Sequence, residues 1–561
     1  MQSETRSIRF VCATLMLGGI LAAQDPRFSV LGEASGNELG RTIAGGHDVN
    51  GDGRLDWIAG ARGSQSSSFP GKAYVYSGNG ALLHTFIGQQ AGDELGAAVA
   101  LSPDLDGDGI GEVLVGSRYA NGVAGNDTGR LTIYRGGTWT PLAILEGTLP
   151  GENFGASVAV VGDQNGDGKA DFAVGVPCLV NGTSGRVEIR SGATFQPLVT
   201  YTGTQAAEWF GYSVAPAGDL NSDGVLDIAV ASVAYDGPAG VDAGRISVFR
   251  GGIAPLTTRL ILVEGEGAGD RLGISMASVG DMNADLIPDL VFGASRFDLP
   301  GTPTNDNRGR AYLYSGANGT LLRMWTGEAS KDWFGIGVSN GGDVDGDGID
   351  EILIGACQTD KGGAGRAYLI NGVTGQVLHV LRGEHASGIP GNGDAYGFAV
   401  STLGDLDLDG ASEFVVGAYG VDGFGGPNTG KLYVYSSAVV YFGVGLPAPQ
   451  HLPLRAQTWP TIGTTFDVNV AGAVPFMPSL LGVAATRVDS QLWGGTMYLD
   501  FATVTFAPFN MDASGSYTFS VPIPNDVQLI NLRGVMQVVS YDVTQPAFAG
   551  WSNGLQLTLV P

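Results

Sequence analysis

The chain has 561 residues, a formal net charge of −26 and 92 glycines. Nucleic acids and anionic membrane surfaces are disfavoured as partners, because binding them needs a basic stripe and the 29 Lys and Arg residues are scattered. The length alone suggests about three or four domains, but a long internal repeat reduces that number to two. Glycine recurs at fixed places in the repeat, which indicates ordered turns instead of disorder.

The N-terminus resembles a secretory signal peptide. Arg6 and Arg9 precede an apolar run from Phe10 to Leu21, and two alanines follow before Gln24. This order predicts a signal peptide over residues 1–23. A buried first strand is the alternative, disfavoured because nothing in the run alternates. No later stretch reaches the roughly 18 apolar residues of a membrane span, so we expect a secreted or cell-surface, extracytoplasmic protein.

Seven acidic loops recur along the chain. The first runs from Asp48 to Asp56, with oxygen-bearing side chains at loop positions 1, 3, 5 and 9 and glycine at position 6. The loops begin at Asp48, Asp104, Asp163, Asp219, Asp281, Asp343 and Asp405, spaced 56, 59, 56, 62, 62 and 62 residues apart. Hard oxygen ligands around a sharp turn suit calcium. These positions hold 24 of the 55 acidic residues, so the predicted metal sites account for a large part of the chain's acidity.

Two other interpretations of the loops are disfavoured. An EF-hand closes with a bidentate glutamate at position 12, but that position falls inside a predicted strand here. Acidic turns without metal are disfavoured, because three or four clustered carboxylates repel one another without a cation.

Each loop lies inside a unit of four short predicted strands. A glycine preceded by Leu or an aromatic residue stands eight residues before each first aspartate, and a small residue stands twelve residues after it. The former are Gly40, Gly96, Gly155, Gly211, Gly273, Gly335 and Gly397; the latter are Gly60, Gly116, Gly175, Ala231, Gly293, Gly355 and Gly417. Four short strands per unit predict a propeller blade. Small residues before the loops, as from Ile274 to Ala277, suit crowded innermost strands.

The pattern resembles the FG-GAP repeat of the integrin alpha-chain β-propeller. The resemblance rests on Phe-Gly, as at Phe154-Gly155, on the acidic loop, and on Gly-Ala-Ser or Gly-Ala-Cys, as at Gly293 and Gly355. It covers residues from about 27 to 437. It implies an all-β fold with a seven-bladed β-propeller over residues 24–440, with calcium on the loops that join the first and second strands.

The resemblance also implies the metal ligands, which are side chains at loop positions 1, 3, 5 and 9 and the carbonyl at position 7. The predicted side-chain ligands are Asp48, Asn50, Asp52, Asp56, Asp104, Asp106, Asp108, Glu112, Asp163, Asn165, Asp167, Asp171, Asp219, Asn221, Asp223, Asp227, Asp343, Asp345, Asp347, Glu351, Asp405, Asp407, Asp409 and Glu413. The predicted carbonyl ligands belong to Arg54, Ile110, Lys169, Val225, Ile349 and Ala411.

The fifth loop departs from this pattern. It has Asp281, Asn283, Asp285 and Asp289, but Leu286 replaces the turn glycine. Calcium binding at this loop therefore stays open, and up to seven calcium sites are expected in all.

Two structural expectations follow from the repeat. The seventh unit ends near Ser437 without a fourth strand, and Phe28 to Leu31 can supply it, which would close the ring and hide two sheet edges. Cys178 and Cys357 occupy nearly equivalent places in distant repeats, so we expect no disulfide between them.

The face opposite calcium is the predicted ligand-binding face. Position three before the Phe-Gly-type glycine is acidic in six of seven repeats, and equivalent positions form a ring: Asn37, Asp93, Glu152, Glu208, Asp270, Asp332 and Asp394. Candidate contact aromatics are Phe69, Tyr119, Tyr235, Phe297, Tyr419, Phe424, Trp209 and Trp333. Exposed aromatics could stack on sugars or anchor a protein; the alternative is that most cap the core.

Catalytic motifs are not found in the sequence. The histidines His47, His84, His379, His385 and His451 lack zinc-protease spacing, and there is no Gly-x-Ser-x-Gly elbow. His84 and His379 fall at equivalent strand positions and are predicted to be structural. A glycosidase carboxylate pair cannot be singled out, because calcium accounts for the densest carboxylates. We therefore expect no enzyme activity.

Residues 441–561 form a second predicted region, which begins with a proline-rich linker and continues as a domain. Alternating runs predict strands at Thr465 to Val470, Met497 to Phe506, Tyr517 to Ile523, Val535 to Val543 and Leu555 to Leu559, and a β-sandwich. The expected function is adhesion or binding of an extracellular protein or carbohydrate ligand, with structural calcium. The alternatives are a secreted hydrolase or lyase that uses the face opposite calcium, and an extracellular-matrix component.

Overall fold

The computed structural model describes residues 26–63, 69–179, 182–253, 258–302, 305–344, 349–408, 411–423 and 426–436, and the backbone of strands between Tyr441 and Thr558. The predicted signal peptide lies outside the described residues. Contacts divide the chain into two compact units, one over Ala23–Val440 and one that contains Tyr441–Pro561.

The first unit is an all-β propeller of seven four-stranded antiparallel sheets, as predicted. Blades one to three are β2 Thr42–His47, β3 Asp56–Ala61, β4 Lys72–Tyr76 and β5 Leu82–Ile87; β6 Leu95–Ser102, β7 Glu112–Ser117, β8 Arg130–Tyr134 and β9 Pro141–Glu146; β10 Ser157–Gly162, β11 Asp171–Val176, β12 Arg186–Arg190 and β13 Pro197–Thr202.

The later blades repeat this order. Blades four to six are β14 Phe210–Gly218, β15 Asp227–Ser232, β16 Arg245–Phe249 and β17 Arg259–Glu264; β18 Ser275–Ser278, β19 Leu290–Ala294, β20 Arg310–Tyr314 and β21 Leu321–Thr326; β22 Phe334–Gly342, β23 Glu351–Ala356, β24 Arg366–Asn371 and β25 Val377–Arg382. Blade seven has β26 Tyr396–Gly404, β27 Glu413–Ala418 and β28 Lys431–Tyr435, and a short 3₁₀ helix covers Thr359–Lys361 in blade six.

The innermost strands form a closed ring. Each of β2, β6, β10, β14, β18, β22 and β26 contacts the innermost strand of the next blade, and β26 contacts β2. Every innermost strand runs from one face of the ring to the acidic loops on the other face. The face where these strands begin is called the axial face below.

The N-terminal strand β1 Phe28–Leu31 completes blade seven, which confirms the predicted ring closure. It pairs antiparallel with β28, with Phe28 opposite Val434 and Leu31 opposite Lys431. Phe28 and Val30 also pack against a core cluster that contains Trp57 of blade one. The strand therefore joins the first and last blades.

The recurring glycines meet where neighbouring blades touch. A Cβ added to Gly355, in the second strand of blade six, would lie 1.8 Å from the carbonyl oxygen of Gly397 in blade seven. The equivalent distance is 2.1 Å from Gly60 to Gly96 and 2.2 Å from Gly116 to Gly155. The Phe-Gly and Gly-Ala elements of the repeat are thus two halves of one close backbone approach.

This contact predicts the effect of adding a methyl group. Gly355→Ala should lower the free energy of unfolding by about 2 kcal/mol, because the Cβ overpacks the blade boundary. Blade four already carries Ala231 at this place. A Cβ added to the facing Gly273 would lie 2.6 Å from the Cβ of Ala231. Ala231→Gly is the control and should change stability by less than about 1 kcal/mol. Equal effects of the two variants in urea denaturation would contradict the packing argument.

Hydrophobic core clusters lie between neighbouring blades. Phe154 of blade three shares a cluster with Leu131 of blade two. Cys178 and Cys357 are buried and free, which confirms the expected absence of a disulfide between them. His379 is buried, and burial lowers its pKa to about 4, while the His84 ring stacks on Trp139 at 5.2 Å. Both histidines thus have the structural surroundings that the sequence predicted.

In the second unit, the structure describes the strands alone. They are β29 Tyr441–Phe442, β30 Leu454–Ala456, β31 Thr465–Val470, β32 Pro478–Ala484, β33 Arg487–Leu492, β34 Gly495–Leu499, β35 Thr505–Asn510, β36 Tyr517–Pro522, β37 Arg533–Tyr541, β38 Ala549–Trp551 and β39 Gly554–Thr558. They form sheets of six, three and two strands. The run predicted as one strand from Met497 to Phe506 divides between β34 and β35, and the β-sandwich stays a prediction.

Candidate metal centres and the axial face

The acidic loops join the first and second strands of the blades, as predicted. The residue at loop position 9 begins the second strand, or directly precedes it in blade five, and is fully buried. Its carboxylate accepts the backbone N–H of loop position 2 in every blade at 2.6–2.9 Å. These residues are Asp56, Glu112, Asp171, Asp227, Asp289, Glu351 and Glu413. The ninth residue therefore fixes the loop to the blade as well as offering an oxygen to a cation.

The first aspartate shapes the turn from the other side. Its carboxylate accepts the N–H of loop position 6 at 2.7–2.9 Å in the first five loops. In the first loop, Asp48 also accepts the N–H of Gly51 at 2.7 Å. These bonds hold the carboxylates on the inside of the turn, where a cation would lie.

The second loop provides the most complete set of ligands. Oxygen atoms of Asp104, Asp106, Asp108 and Glu112 lie within 4.8 Å of one another. The Oε1 atom of Glu112 is buried without a hydrogen-bond partner among the described residues. Burial, and then the neighbouring carboxylates, raise the pKa of Glu112 to about 7. An orphaned buried oxygen among hard acidic ligands fits calcium, which would supply the missing positive charge.

The seventh loop gathers its described carboxylates in the same way, with Asp405, Asp407 and Glu413 within 4.8 Å of one another. Here Arg27, just before β1, approaches the cluster: its Nη1 lies 2.9 Å from Asp407 and 3.4 Å from Glu413. Sequence reasoning missed this arginine, because it lies far from the loop in the chain. The predicted ligands Asp409, Asp345 and Asp347 lie outside the described residues.

Loops with Asn at position 3 differ from these two. The amide nitrogens of Asn50 and Asn221 each lie 3.1 Å from the carboxylate at position 9, and that of Asn165 lies 2.9 Å from Asp167. In loops three to five, the ninth aspartate also accepts a second backbone N–H, from Gly192, Gly251 or Gly316. Within the described ranges, three or more carboxylates gather within 4.8 Å only in loops two and seven. Among the loops whose four side-chain positions are all described, the structure therefore separates loop two from loops one, three, four and five.

The fifth loop keeps the shared backbone path without its glycine. Leu286 has φ +70°, which is the left-handed region, and 89% of it is exposed. Its N–H still bonds to Asp281 at 2.7 Å. The aspartate bonds thus impose the turn on a residue that does not favour it.

Leu286→Gly should therefore stabilise the protein by about 1 kcal/mol, because the left-handed conformation costs a non-glycine residue about 1–2 kcal/mol and glycine's larger unfolded-state entropy offsets part of the gain. Leu262→Gly, at an exposed position of strand β17, is the matched control and should destabilise by a similar amount. Urea denaturation measures both. A loss of stability in Leu286→Gly would show that the turn is not strained.

The predicted acidic ring on the axial face is wrong as a binding surface. All seven residues are at most 4% exposed. Glu152 accepts the N–H of Thr148 at 2.7 Å, and Asp270 and Asp332 accept equivalent loop N–H groups at 2.7 and 2.8 Å. The carboxylates stabilise the turns that lead into the innermost strands of blades two to seven, where backbone amides would otherwise lack partners.

The candidate aromatics are also placed differently from the expectation of free, exposed rings. Phe297 is buried, and the other described candidates are half-buried; Phe424 lies outside the described residues. Each described ring has a cation over it at 3.7–5.9 Å: Phe69 with Lys72, Tyr119 with Arg118, Tyr235 with Arg245, Phe297 with Arg310, Tyr419 with Arg41, Trp209 with Arg271 and Trp333 with Arg296. Such cation–π pairs are favourable contacts in their own right.

The cations themselves were missed by the sequence reasoning. A positional signal was present, since Arg62 and Arg118 both stand two residues after the recurring small residue of the second strand, and Arg41 directly follows a Phe-Gly-type glycine. Arg41 precedes the first strand of blade one, and Arg62 and Arg118 follow the second strands of blades one and two, so all three lie at the axial face.

Comparisons with known proteins agree with this architecture. A protein-family model described as an FG-GAP-like repeat matches residues 104–174, and one described as an FG-GAP repeat matches residues 210–249 and 334–370. A fungal alcohol oxidase in complex with copper covers 96% of this chain and is covered completely, but at 11% identity and a TM-score of 0.40 that likeness carries no argument. No helix among the described residues has the length and apolar character needed to cross a membrane.

Similar curated proteins include three integrin alpha chains. Integrin alpha-5 of Xenopus laevis is 33% identical over 220 residues, which are 37% of this chain and 20% of the relative. Integrin alpha-IIb of Mus musculus is 35% identical over 171 residues, 28% and 16% of the two chains, and integrin alpha-V of Gallus gallus is 30% identical over 223 residues, 37% and 20%. The chain thus spans at most about a fifth of these relatives' length. It carries FG-GAP repeats that form an integrin-alpha-like seven-bladed β-propeller.

Proposed function

We propose that the chain is a secreted or cell-surface adhesion or ligand-binding module, with structural calcium in the acidic loops and no catalytic activity. The observation that carries the proposal is the division of the propeller into two faces. One face holds the acidic loops, and the axial face holds the long connections and partly exposed cation–aromatic pairs. The likeness to integrin alpha chains supports a binding role, although fold and family alone do not prove one.

Calcium is proposed to stabilise loops and not to transmit a signal. The second loop carries the argument, because it brings four carboxylates together and leaves a buried Glu112 oxygen without a hydrogen-bond partner among the described residues. Extracellular calcium modules bind with dissociation constants of about 10⁻⁴ to 10⁻³ M. Calcium outside the cell would therefore add folding stability by mass action.

A binding role is favoured over a hydrolase or lyase by the state of the axial carboxylates. Glu152, Asp270 and Asp332 are buried and accept backbone N–H groups. A general acid or base must reach the substrate within hydrogen-bonding distance or through one water. Carboxylates committed to loop amides do not meet that requirement without rearrangement of the loops.

The test is binding of the purified mature chain to a panel of extracellular-matrix proteins, glycans and cell surfaces, with calcium and with chelator. Circular dichroism in parallel establishes that the protein is folded in each condition. Saturable binding that needs calcium is the expected result. Absence of binding by folded, calcium-loaded protein, together with turnover in hydrolase or lyase screens, would overturn the proposal in favour of the enzyme.

A further inference from the structure

Five arginines converge at the centre of the axial face. Arg41 and Arg62 belong to blade one, Arg118 to blade two, and Arg271 and Arg296 to blade five. The phenol of Tyr212, in blade four, lies within electrostatic range of Arg62, Arg118 and Arg296. Because blades one and four lie on opposite sides of a seven-bladed ring, one residue can be near both only at the axis. These five residues are called the axial arginine cluster.

The cluster has more positive than negative charge. The carboxylate of Glu94 serves two of its members, with Nη1 of Arg62 at 3.0 Å and Nε of Arg118 at 2.8 Å. Arg41 pairs with Glu38 at 2.7 Å, and Arg271 pairs with Asp242 at 3.4 Å. Asp360 acts on Arg296 electrostatically. Five guanidinium groups thus face four carboxylates, in a chain whose overall charge is −26.

The local potential follows this imbalance. Burial, and then the guanidinium groups of Arg118 and Arg41, lower the pKa of Arg62 to about 10, against the opposing effect of Glu94. The arginine stays charged near neutral pH, so the cluster attracts anions. The side chains of Arg41, Arg62, Arg118 and Arg271 keep 16–24% of their surface exposed. They are therefore held in place by the protein and still reachable from outside.

Strained backbone is concentrated at the same place. The residue two before each Phe-Gly-type glycine has positive φ in all seven repeats, from 54° to 60°. In three repeats that residue is bulky: Trp209, Arg271 and Trp333. Bulky residues rarely adopt this conformation, and such strain persists where the surroundings impose it, often at functional sites. One imposed contact is the bond from Nε1 of Trp333 to Asp360 at 3.0 Å.

We propose that the axial arginine cluster receives an acidic side chain, Asp or Glu, of a protein partner, whose carboxylate accepts hydrogen bonds from the guanidinium groups of Arg62 and Arg118. This inference rests on the proposed binding function and specifies its partner. Planar guanidinium groups match a carboxylate geometrically. An acidic sugar is the weaker candidate, because Tyr119, Tyr419, Trp209 and Trp333 already have a guanidinium group over one face, which leaves less ring surface for stacking.

The test uses the full mature chain, loaded with calcium, and a fluorescein-labelled poly-glutamate peptide at physiological ionic strength. Poly-glutamine is the uncharged probe. Arg62→Gln/Arg118→Gln should weaken poly-glutamate binding by about tenfold or more. Arg259→Gln/Arg323→Gln removes the same charge from outer strands and should change it less than about twofold. Because the first variant leaves Glu94 buried without its partners, Arg62→Gln/Arg118→Gln/Glu94→Gln is measured beside it, with thermal unfolding as the check on folding.

The inference is overturned if folded wild-type protein does not bind poly-glutamate, if the cluster variants bind as wild type does, or if polygalacturonate binds more tightly at the same arginines. Its failure is distinguishable from failure of the proposed function. If matrix or cell binding persists in the arginine variants, the inference of an acidic partner is excluded, while the proposed adhesion function still stands.

Discussion

Glu112→Gln should abolish most of the calcium-dependent stabilisation at the second loop while leaving the calcium-free protein at least as stable as wild type. At a calcium concentration about 100 times the dissociation constant, one site contributes about 2.7 kcal/mol to the free energy of unfolding. The amide keeps the shape of the side chain and can still accept the N–H of Leu105, which Glu112 accepts at 2.6 Å. It removes the charge that calcium needs.

The behaviour without calcium has the opposite sign for a physical reason. Burial and the carboxylates of Asp106, Asp104 and Asp108 raise the pKa of Glu112 to about 7 in the folded chain. A carboxyl group with a higher pKa in the folded chain than in the unfolded chain lowers the free energy of unfolding as the pH rises from the unfolded pKa to the folded pKa. The loss remains at higher pH. In chelator above pH 7, the neutral amide avoids that cost.

Urea denaturation with saturating calcium and with chelator measures both effects. Glu264→Gln, the same change in the outer strand β17, is the control and should behave as wild type in both conditions. A variant that loses equal stability with and without calcium would indicate a packing role for Glu112 and not a metal ligand.

Opening the ring should have a still larger effect. Removal of residues 24–31 should abolish a single cooperative unfolding transition, because it exposes the edge of β28 and uncovers the core beneath Phe28 and Val30. A point variant gives a graded result. Val30→Asp places a charge against the core and should cost about 3 kcal/mol or more.

The alternation of β1 supplies the matched control. Ser29 is exposed and Val30 is half-buried, so Ser29→Asp adds the same charge to the same strand without entering the core. Its unfolding free energy should stay within about 0.5 kcal/mol of wild type. Equal destabilisation by the two variants would mean that general charge repulsion, and not ring closure, limits stability.

The fold was predictable because its signals are local and recur. Phe154-Gly155 and Gly355 mark blade boundaries in the sequence, and the structure explains them as close contacts between adjacent blades. The first strand could also be assigned to blade seven, because that blade lacked a fourth strand of its own. Repetition converts a weak single motif into a strong architectural one.

The axial face was less predictable because its contacts join distant parts of the chain. Tyr419 and Arg41 are 378 residues apart and stack only after the ring closes. The acidic residues near Phe-Gly, such as Glu152, suggested a charged surface. Their carboxylates instead point into the preceding turns, and this orientation depends on the conformation of each turn and not on the sequence spacing.

Ring closure also has a mechanical consequence. Phe28, at the start of β1, pairs with Val434, near the end of β28, so both strand ends that lead out of the propeller lie at one end of the same hydrogen-bonded ladder. Tension between the start of β1 and the end of β28 would break the hydrogen bonds of this ladder one after another, beginning at the Phe28–Val434 pair. Tension between a ligand on the axial face and the segment after β28 would instead pull β28 along its length, so that its hydrogen bonds to β1 and β27 would share the load. Resistance to force would therefore depend on where the load enters the protein.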